Sequence, residues 1–264
     1  MRIAKFLQEI IGAPYYRRRP LEALQFAYAK WLFSRFRLYD PVEFLRLLAI
    51  DTNSALDGFQ KWLPTLQEVF SKVRQHQGQQ GGISMEDGII LYGLTRALRP
   101  ETVIETGVAA GVSTSFIGAA LIENGHGVLY SVELPPGDSA ARVHLDGAAF
   151  DWPDSGVGWA IPEAIKHGMG SRHTVVLQDV RVALPILIEH LPCIDIFFHD
   201  DLHTPDHMLW EFELVWPHIR LNGALISDDV NFGWIQFCRK HRLGEHALHN
   251  IQRLTAIRKH AVSP

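Results

Sequence analysis

The sequence predicts an α/β protein, a mostly parallel sheet with helices on both faces, preceded by a helical extension. Three observations carry this. From residue 84 onward, short β-rich apolar runs alternate with segments of helical apolar spacing. Before residue 75 the apolar residues recur at helical spacing, with few strand-like runs. Between the two lies "QHQGQQGG", residues 75–82, a polar glycine-rich linker. The expected division is therefore a helical N-terminal extension, 1–80, and an α/β domain, 81–264.

The elements follow in order. "SMEDGIILYGLTRAL" opens at Ser84 with Asp87 three residues on, the form of a capping box, and reads as a helix to about Leu98. Five strands are expected at "TVIE" (102–105), "GVLYSVE" (127–133), "TVVLQ" (174–178), "IDIFFH" (194–199) and "GALISD" (223–228). Helical segments at about 112–123, 162–168, 181–190 and 205–220 separate them. The N-terminal "MRIAKFLQEIIG" has helical spacing and reads as a helix packed on the protein or a partner, with weak contact to a membrane surface as the alternative.

Composition bounds the function. The 264 residues are 47% hydrophobic and 20% charged, enough for a sizeable core, and the net charge of −4 argues against a nucleic-acid partner. Every apolar run is broken well short of the roughly 20 residues a membrane span needs. Cys193 and Cys238 are the only cysteines, so neither a disulfide framework nor a cysteine zinc cluster is expected, and a cytoplasmic location is the default.

In open parallel sheets ligands bind beyond the carboxyl ends of the strands, so the strand ends carry the functional information. The first strand ends at Glu105, followed by a turn with Gly107 and Gly111 and a helix opening at Ser113. Such a turn lets backbone approach a ligand at a helix N-terminus. It lacks the Gly-Lys-Ser/Thr of a P-loop, and Ala109 stands where a dinucleotide motif has its second glycine. The second strand ends at Glu133, placed to accept ribose hydroxyls, and the third at Asp179, placed to receive an adenine amino group. Each acid alone reads equally as a solvated loop residue; together they outline an adenosine-type ligand.

The stretch "HDDLHTPDH" has histidines at 199, 203 and 207, which imitates a histidine metal site. His199 closes a strand, His203 falls in a turn, and Thr204–Pro205 read as the start of a helix, so the three do not share a helix face. His207 is expected on that helix's surface. Asp200, and Asp228 and Asp229 after the fifth strand, are expected to converge; three carboxylates suit a hard cation such as Mg²⁺.

The motifs "VIETGVAAGVSTSFIGAAL", "YSVE", "LQD" and "IDIFFHDDLHTPDHMLWEFELVWPHIRLNGALISDDV" resemble those of class I S-adenosylmethionine-dependent methyltransferases, in particular the divalent-metal-dependent O-methyltransferases of the catechol and macrolide-sugar types. The resemblance covers roughly residues 84 to 260 and implies a Rossmann-like seven-stranded sheet, closed by antiparallel strands from "IQRLTAIRKH". It implies that Glu105, Gly107, Gly111 and Ser113 lie at the methionine end of S-adenosyl-L-methionine, Glu133 at the ribose and Asp179 near the adenine. It implies that Asp200, Asp228 and Asp229 hold Mg²⁺ or a similar cation. His203 lies three residues after Asp200, where the catechol type has a lysine base and the macrolide-sugar type a histidine. His199 and His207 are expected to serve neither metal nor proton. Gln178 departs from the family, which commonly has glycine there, and 1–80 and 135–162 match no motif; the latter reads as a substrate lid. Trp234 reads as an aromatic wall of the site or as a core residue.

The expected activity is O-methylation of a small-molecule hydroxyl on a catechol, sugar or natural-product intermediate, with a homo-oligomer as the open quaternary expectation. Two other classes stay open. His199 and Asp201 with a remote histidine imitate the iron triad of a metal-dependent oxygenase or hydrolase, and a non-catalytic S-adenosylmethionine-binding partner protein would carry the same cofactor acids.

Overall fold

Successive residues of a strand point to opposite faces of its sheet, and here both faces are covered. In the computed structural model, which describes residues 19–76, 82–135, 156–244 and 254–260, β1 (Thr102–Thr106) and β4 (Ile194–His199) are buried along their whole length. The remaining strands are β2 (Val128–Glu133), β3 (His173–Leu177), β5 (Ile219–Ser227) and β6 (Thr255–Arg258). Their order is β3-β2-β1-β4-β5-β6, parallel except for β6, which runs antiparallel to β5. The α/β expectation holds, with six strands described where seven were expected. The start of "IQRLTAIRKH", residues 251–253, lies outside the described residues.

Chain direction through the sheet reverses between β1 and β4, which makes the crevice beyond their carboxyl ends the place for a ligand. The helix α6 (Val112–Asn124) follows β1, α8 (Val180–His190) follows β3, α9 (Pro205–Val215) follows β4 and α10 (Phe232–Lys240) follows β5. A short helix, α7 (Glu163–Met169), precedes β3. The expected helix 205–220 ends early, at Val215, and passes through a 3-10 turn containing Pro217 into β5.

Strand alternation sorts the core into two clusters. Val103, Ile196, Phe198, Ala224 and Ile226 pack on one face with Phe116 and Ile117 of α6. Ile104, Phe197 and Leu225 pack on the other with Met208, Phe212, Trp234 and Phe237 of α9 and α10. Trp234 is fully buried there, with its ring 5.6 Å from that of Phe212. It is core, not an aromatic wall.

The N-terminal helices cover both faces. In α4 (Phe59–Gln75), Phe59, Trp62, Leu66 and Val69 share one buried stripe and join the α6 cluster. The Trp62 indole Nε1 donates to Glu123 Oε1 on α6 at 2.8 Å. The helix α1 (Pro20–Phe33) lies on the opposite face, where Ala29 and Phe33 join the α9–α10 cluster and Arg239 donates to the Tyr28 hydroxyl at 2.9 Å. Between them come α2 (Pro41–Leu47) and α3 (Thr52–Ala55), both packed against α5 (Met85–Leu98). The capping box read at Ser84 and Asp87 is formed at the start of α5. The helix expected at the N-terminus and most of the expected lid, residues 136–155, lie outside the described residues. Among the described residues no helix is long and apolar enough to cross a membrane.

Candidate active site

The turn after β1 is built by backbone rather than by side chains. Gly107 has φ +83°, and a Cβ there would lie 2.1 Å from the carbonyl oxygen of Asp200. Across the same seam the Asp200 amide donates to the Thr106 carbonyl at 2.9 Å. Ala109, where the dinucleotide motif has glycine, takes a left-handed φ of 47° despite its side chain. Gly111, at φ +90°, is closed over by Ile161. Gly107→Ala is expected to destabilise the fold by at least about 2 kcal/mol, because strained φ and backbone overlap add; chemical denaturation measures it.

The two glutamates brace this turn from opposite ends. Glu105 is fully buried on the α6 face and accepts from the hydroxyls of Ser113, Thr114 (2.7 Å) and Ser131 (2.8 Å). Burial pushes its carboxyl up, and the three hydroxyls oppose that rise. Glu133 Oε2 accepts from the amides of Val108 (2.8 Å) and Ala109 (3.0 Å), and Oε1 from that of Leu134 (2.8 Å). Its carboxyl is also raised, by burial, with the amides opposing. Asp179 is exposed and caps α8, accepting from the Arg181 amide at 2.8 Å.

On the far side of the crevice, β4 and β5 end together, with His199 in register with Ser227 and the Asp228 amide donating to the His199 carbonyl at 3.0 Å. This brings Asp200, Asp228 and Asp229 to one strand edge. Burial first, then the charges of Asp228 and Asp229, push the Asp200 carboxyl well above the ordinary aspartate range. Asp229 is exposed and held at a left-handed φ of 44°. His203 Nε2 lies 3.8 Å from Asp200 Oδ1. Its loop is pinned by Asn231, whose Nδ2 donates to the His203 carbonyl at 2.7 Å. Asn231 is a site residue the sequence reading missed; its only signal was its place one residue before α10.

Strand alternation sends Thr106 and His199 to the opposite face from Glu105, under α9. There His207 corrects the expectation of a surface residue: it is 3% exposed. Thr204 and Pro205 do start the helix as read, but its first turn folds back over the end of β4 and points position 207 inward. His207 Nε2 donates to Asp201 Oδ2 at 3.0 Å and lies 3.6 Å from Glu211 Oε1. Burial disfavours charge on this ring, but hydrogen bonds to and charges of Asp201 and Glu211 outweigh it and raise His207 to about 10. Burial likewise raises Asp201, but His207 and the neighbouring histidines lower it to about 2.

The pair sets a pH window. His207's contribution is complete below the unfolded histidine value of 6.5 and is lost as pH rises toward about 10. Asp201's is complete above 3.8 and is lost as pH falls toward about 2. Chelator-treated protein should therefore show its highest melting temperature between those limits, and His207→Gln should flatten the alkaline decline. An unchanged alkaline limb in that variant would remove His207 from the account.

Glu211 also escaped the sequence reading, and Asp201 entered it only as part of an imitated iron triad. The signal was present: Glu211 lies four residues after His207 on the same helix, and so on the same face.

Residues 104–230, which run from β1 to just past Asp229, match a family model described as a methyltransferase domain. The chain carries a methyltransferase domain. That match agrees with the resemblance of its motifs to the class I S-adenosylmethionine-dependent methyltransferases. No curated protein matches its sequence. Among solved structures, the methyltransferase is similar to an O-methyltransferase from Bacillus cereus in complex with SAH, at 17% identity and a TM-score of 0.48, covering 68% of this chain and 77% of that one. It is also similar to the O-methyltransferase TomG from Streptomyces achromogenes, involved in tomaymycin synthesis and in complex with SAM, at 16% identity and a TM-score of 0.48, covering 67% and 75%. At these scores the two likenesses carry no argument about this methyltransferase's substrate.

Proposed function

We propose that this methyltransferase carries out Mg²⁺-assisted O-methylation of a small molecule bearing adjacent oxygens, such as a catechol, a sugar or a natural-product intermediate, in the cytoplasm. The observation that carries the reading is Asp200. Its carboxyl is pushed toward the neutral form by burial first and then by the charges of Asp228 and Asp229 at the switch point, with His203 beside it. A set of anionic oxygens that repel one another when empty-handed fits a hard divalent cation. The helices of the N-terminal extension within residues 20–75 brace the catalytic domain.

When bound, S-adenosylmethionine supplies an electrophilic methyl group, and Mg²⁺ lowers the pKa of a hydroxyl it touches. The chain supplies the rest. Gly107 and Gly111 allow backbone to approach the methionine end, with Glu105 and Ser113 bracing the turn beneath it. Glu133 Oε2 is filled by two amides, but Oε1 has accepted one and keeps a lone pair for a ribose hydroxyl. Asp179 stands toward the adenine. Asp200, Asp228 and Asp229 hold the cation, and His203 takes the acceptor's hydroxyl proton at Nε2. Most of the acceleration comes from holding two reactants in line.

The test is transfer from S-adenosylmethionine to a panel of vicinal diols and catechols, with Mg²⁺ and with excess chelator; chelator-resistant transfer would exclude the carboxylate site. Glu133→Ala should weaken S-adenosylmethionine by about tenfold or more, the worth of a hydrogen bond to a charged group. Calorimetry on the variant reads this directly, and unchanged affinity would take the ribose away from Glu133.

A further inference from the structure

The cluster beneath α9 plays no part in the transfer described above. His199, Asp201 and Glu211 each offer a ligand atom, and these atoms lie within 4.8 Å of one another. The His199 and Glu211 side chains are fully buried, and that of Asp201 is 18% exposed. We propose that His199, Asp201 and Glu211 bind a divalent transition-metal ion at a second site, separate from the carboxylate edge of Asp200, Asp228 and Asp229.

Asp201 Oδ1 and Glu211 Oε1 are buried and accept no well-formed hydrogen bond; their nearest donors are His199 Nδ1 at 3.2 Å and His207 Nε2 at 3.6 Å, both ill-placed. A buried acceptor left in that state costs about 1–3 kcal/mol, and more if charged. Two carboxylates side by side in the interior compound the cost. A cation among the ligand atoms removes both penalties at once.

Ligating groups are usually fixed by partners on their outer atoms. Here the Thr106 hydroxyl donates to Glu211 Oε2 at 3.2 Å, and His207 Nε2 donates to the far oxygen of Asp201 at 3.0 Å. His207 is in turn sandwiched between the two carboxylates and the Trp210 ring, 5.6 Å away. His199 is the last residue of β4, Asp201 follows it in a bend, and Glu211 lies in the second turn of α9.

Donor type decides the metal. One imidazole nitrogen with two carboxylates favours Zn²⁺, Mn²⁺, Fe²⁺ or Co²⁺ over Mg²⁺, which takes oxygen alone. Without a metal, His199 Nδ1 donates to Glu211 Oε2 at 2.5 Å. A metal at Nδ1 takes the place of that hydrogen, with the ring in its Nε2–H tautomer.

The proposal does not rest on the methyl-transfer reading, and its test measures metal rather than turnover. Chelator-stripped protein is loaded with Zn²⁺ in excess Mg²⁺, freed of unbound metal and assayed by mass spectrometry. Wild type should retain one equivalent, Asp228→Ala should keep it, and Glu211→Gln should bind Zn²⁺ at least about 100-fold more weakly. Pulsed EPR of the Mn²⁺-loaded protein, wild type and Asp228→Ala alike, should show coupling to an imidazole nitrogen; this holds even if Glu211→Gln fails to fold. No retained Zn²⁺, loss in Asp228→Ala with retention in Glu211→Gln, or a manganese signal without nitrogen coupling would each overturn the second site.

Discussion

Asp228→Ala should cut Mg²⁺-dependent methyl transfer by at least about 10³-fold, since a catalytic cation supplies several kcal/mol of stabilisation to the reacting oxygen. The same position should behave oppositely toward stability. Asp200 is raised by the charge of Asp228, so Asp228→Asn, which keeps the shape and removes the charge, relieves repulsion in chelator. Its melting temperature should exceed that of wild type without metal, and the order should reverse when Mg²⁺ is added. Transfer assays and thermal melts with and without chelator read both halves. Full activity in Asp228→Ala would dismiss the cation from the reaction.

His203→Ala should lower kcat by about 10²- to 10⁴-fold while S-adenosylmethionine binding stays nearly intact. The wild-type rate should rise with pH through the titration of one histidine and then level, and the variant should lose that limb. His203 lies in a loop held by the Asn231 side chain, so Asn231→Ala should show a smaller fall in kcat with the pH limb kept. A variant of His203 with wild-type kcat would move the proton to another group. His207 cannot serve as the neutral control for this experiment, because it is buried in a charged cluster rather than on the surface.

Much of this was legible in the sequence, for definite physical reasons. β4 was read to the residue because a six-residue stretch carrying Ile194, Ile196, Phe197 and Phe198 lies between a proline-cysteine pair and two aspartates. The start of α9 was legible because Thr204 and Pro205 satisfy the two demands of a helix N-terminus, a side-chain acceptor and a first residue with no amide left unpaired. The carboxylate edge followed from the same strand ends. What escaped was the inward face of the first turn of α9. Capping residues fix where a helix begins but not its rotation about its axis, and that rotation decides whether His207 and Glu211 meet water or each other. Trp234 escaped for a related reason: an aromatic residue has the same signature lining a cleft and filling a core.

The seam between the glycine turn and the β4 loop is made of backbone: Asp200's amide on Thr106's carbonyl, and Gly107 pressed against Asp200's carbonyl. In the proposed reaction the donor side hangs from one of these segments and the acceptor side from the other. Their spacing is therefore a ruler cut into the main chain, indifferent to which side chains surround it. Surrounding segments can be exchanged to admit a wider or narrower acceptor while the reach from methyl to oxygen stays fixed. Acceptor choice in this scaffold should consequently be transplantable, whereas substitutions at the seam itself should spoil transfer to every acceptor alike.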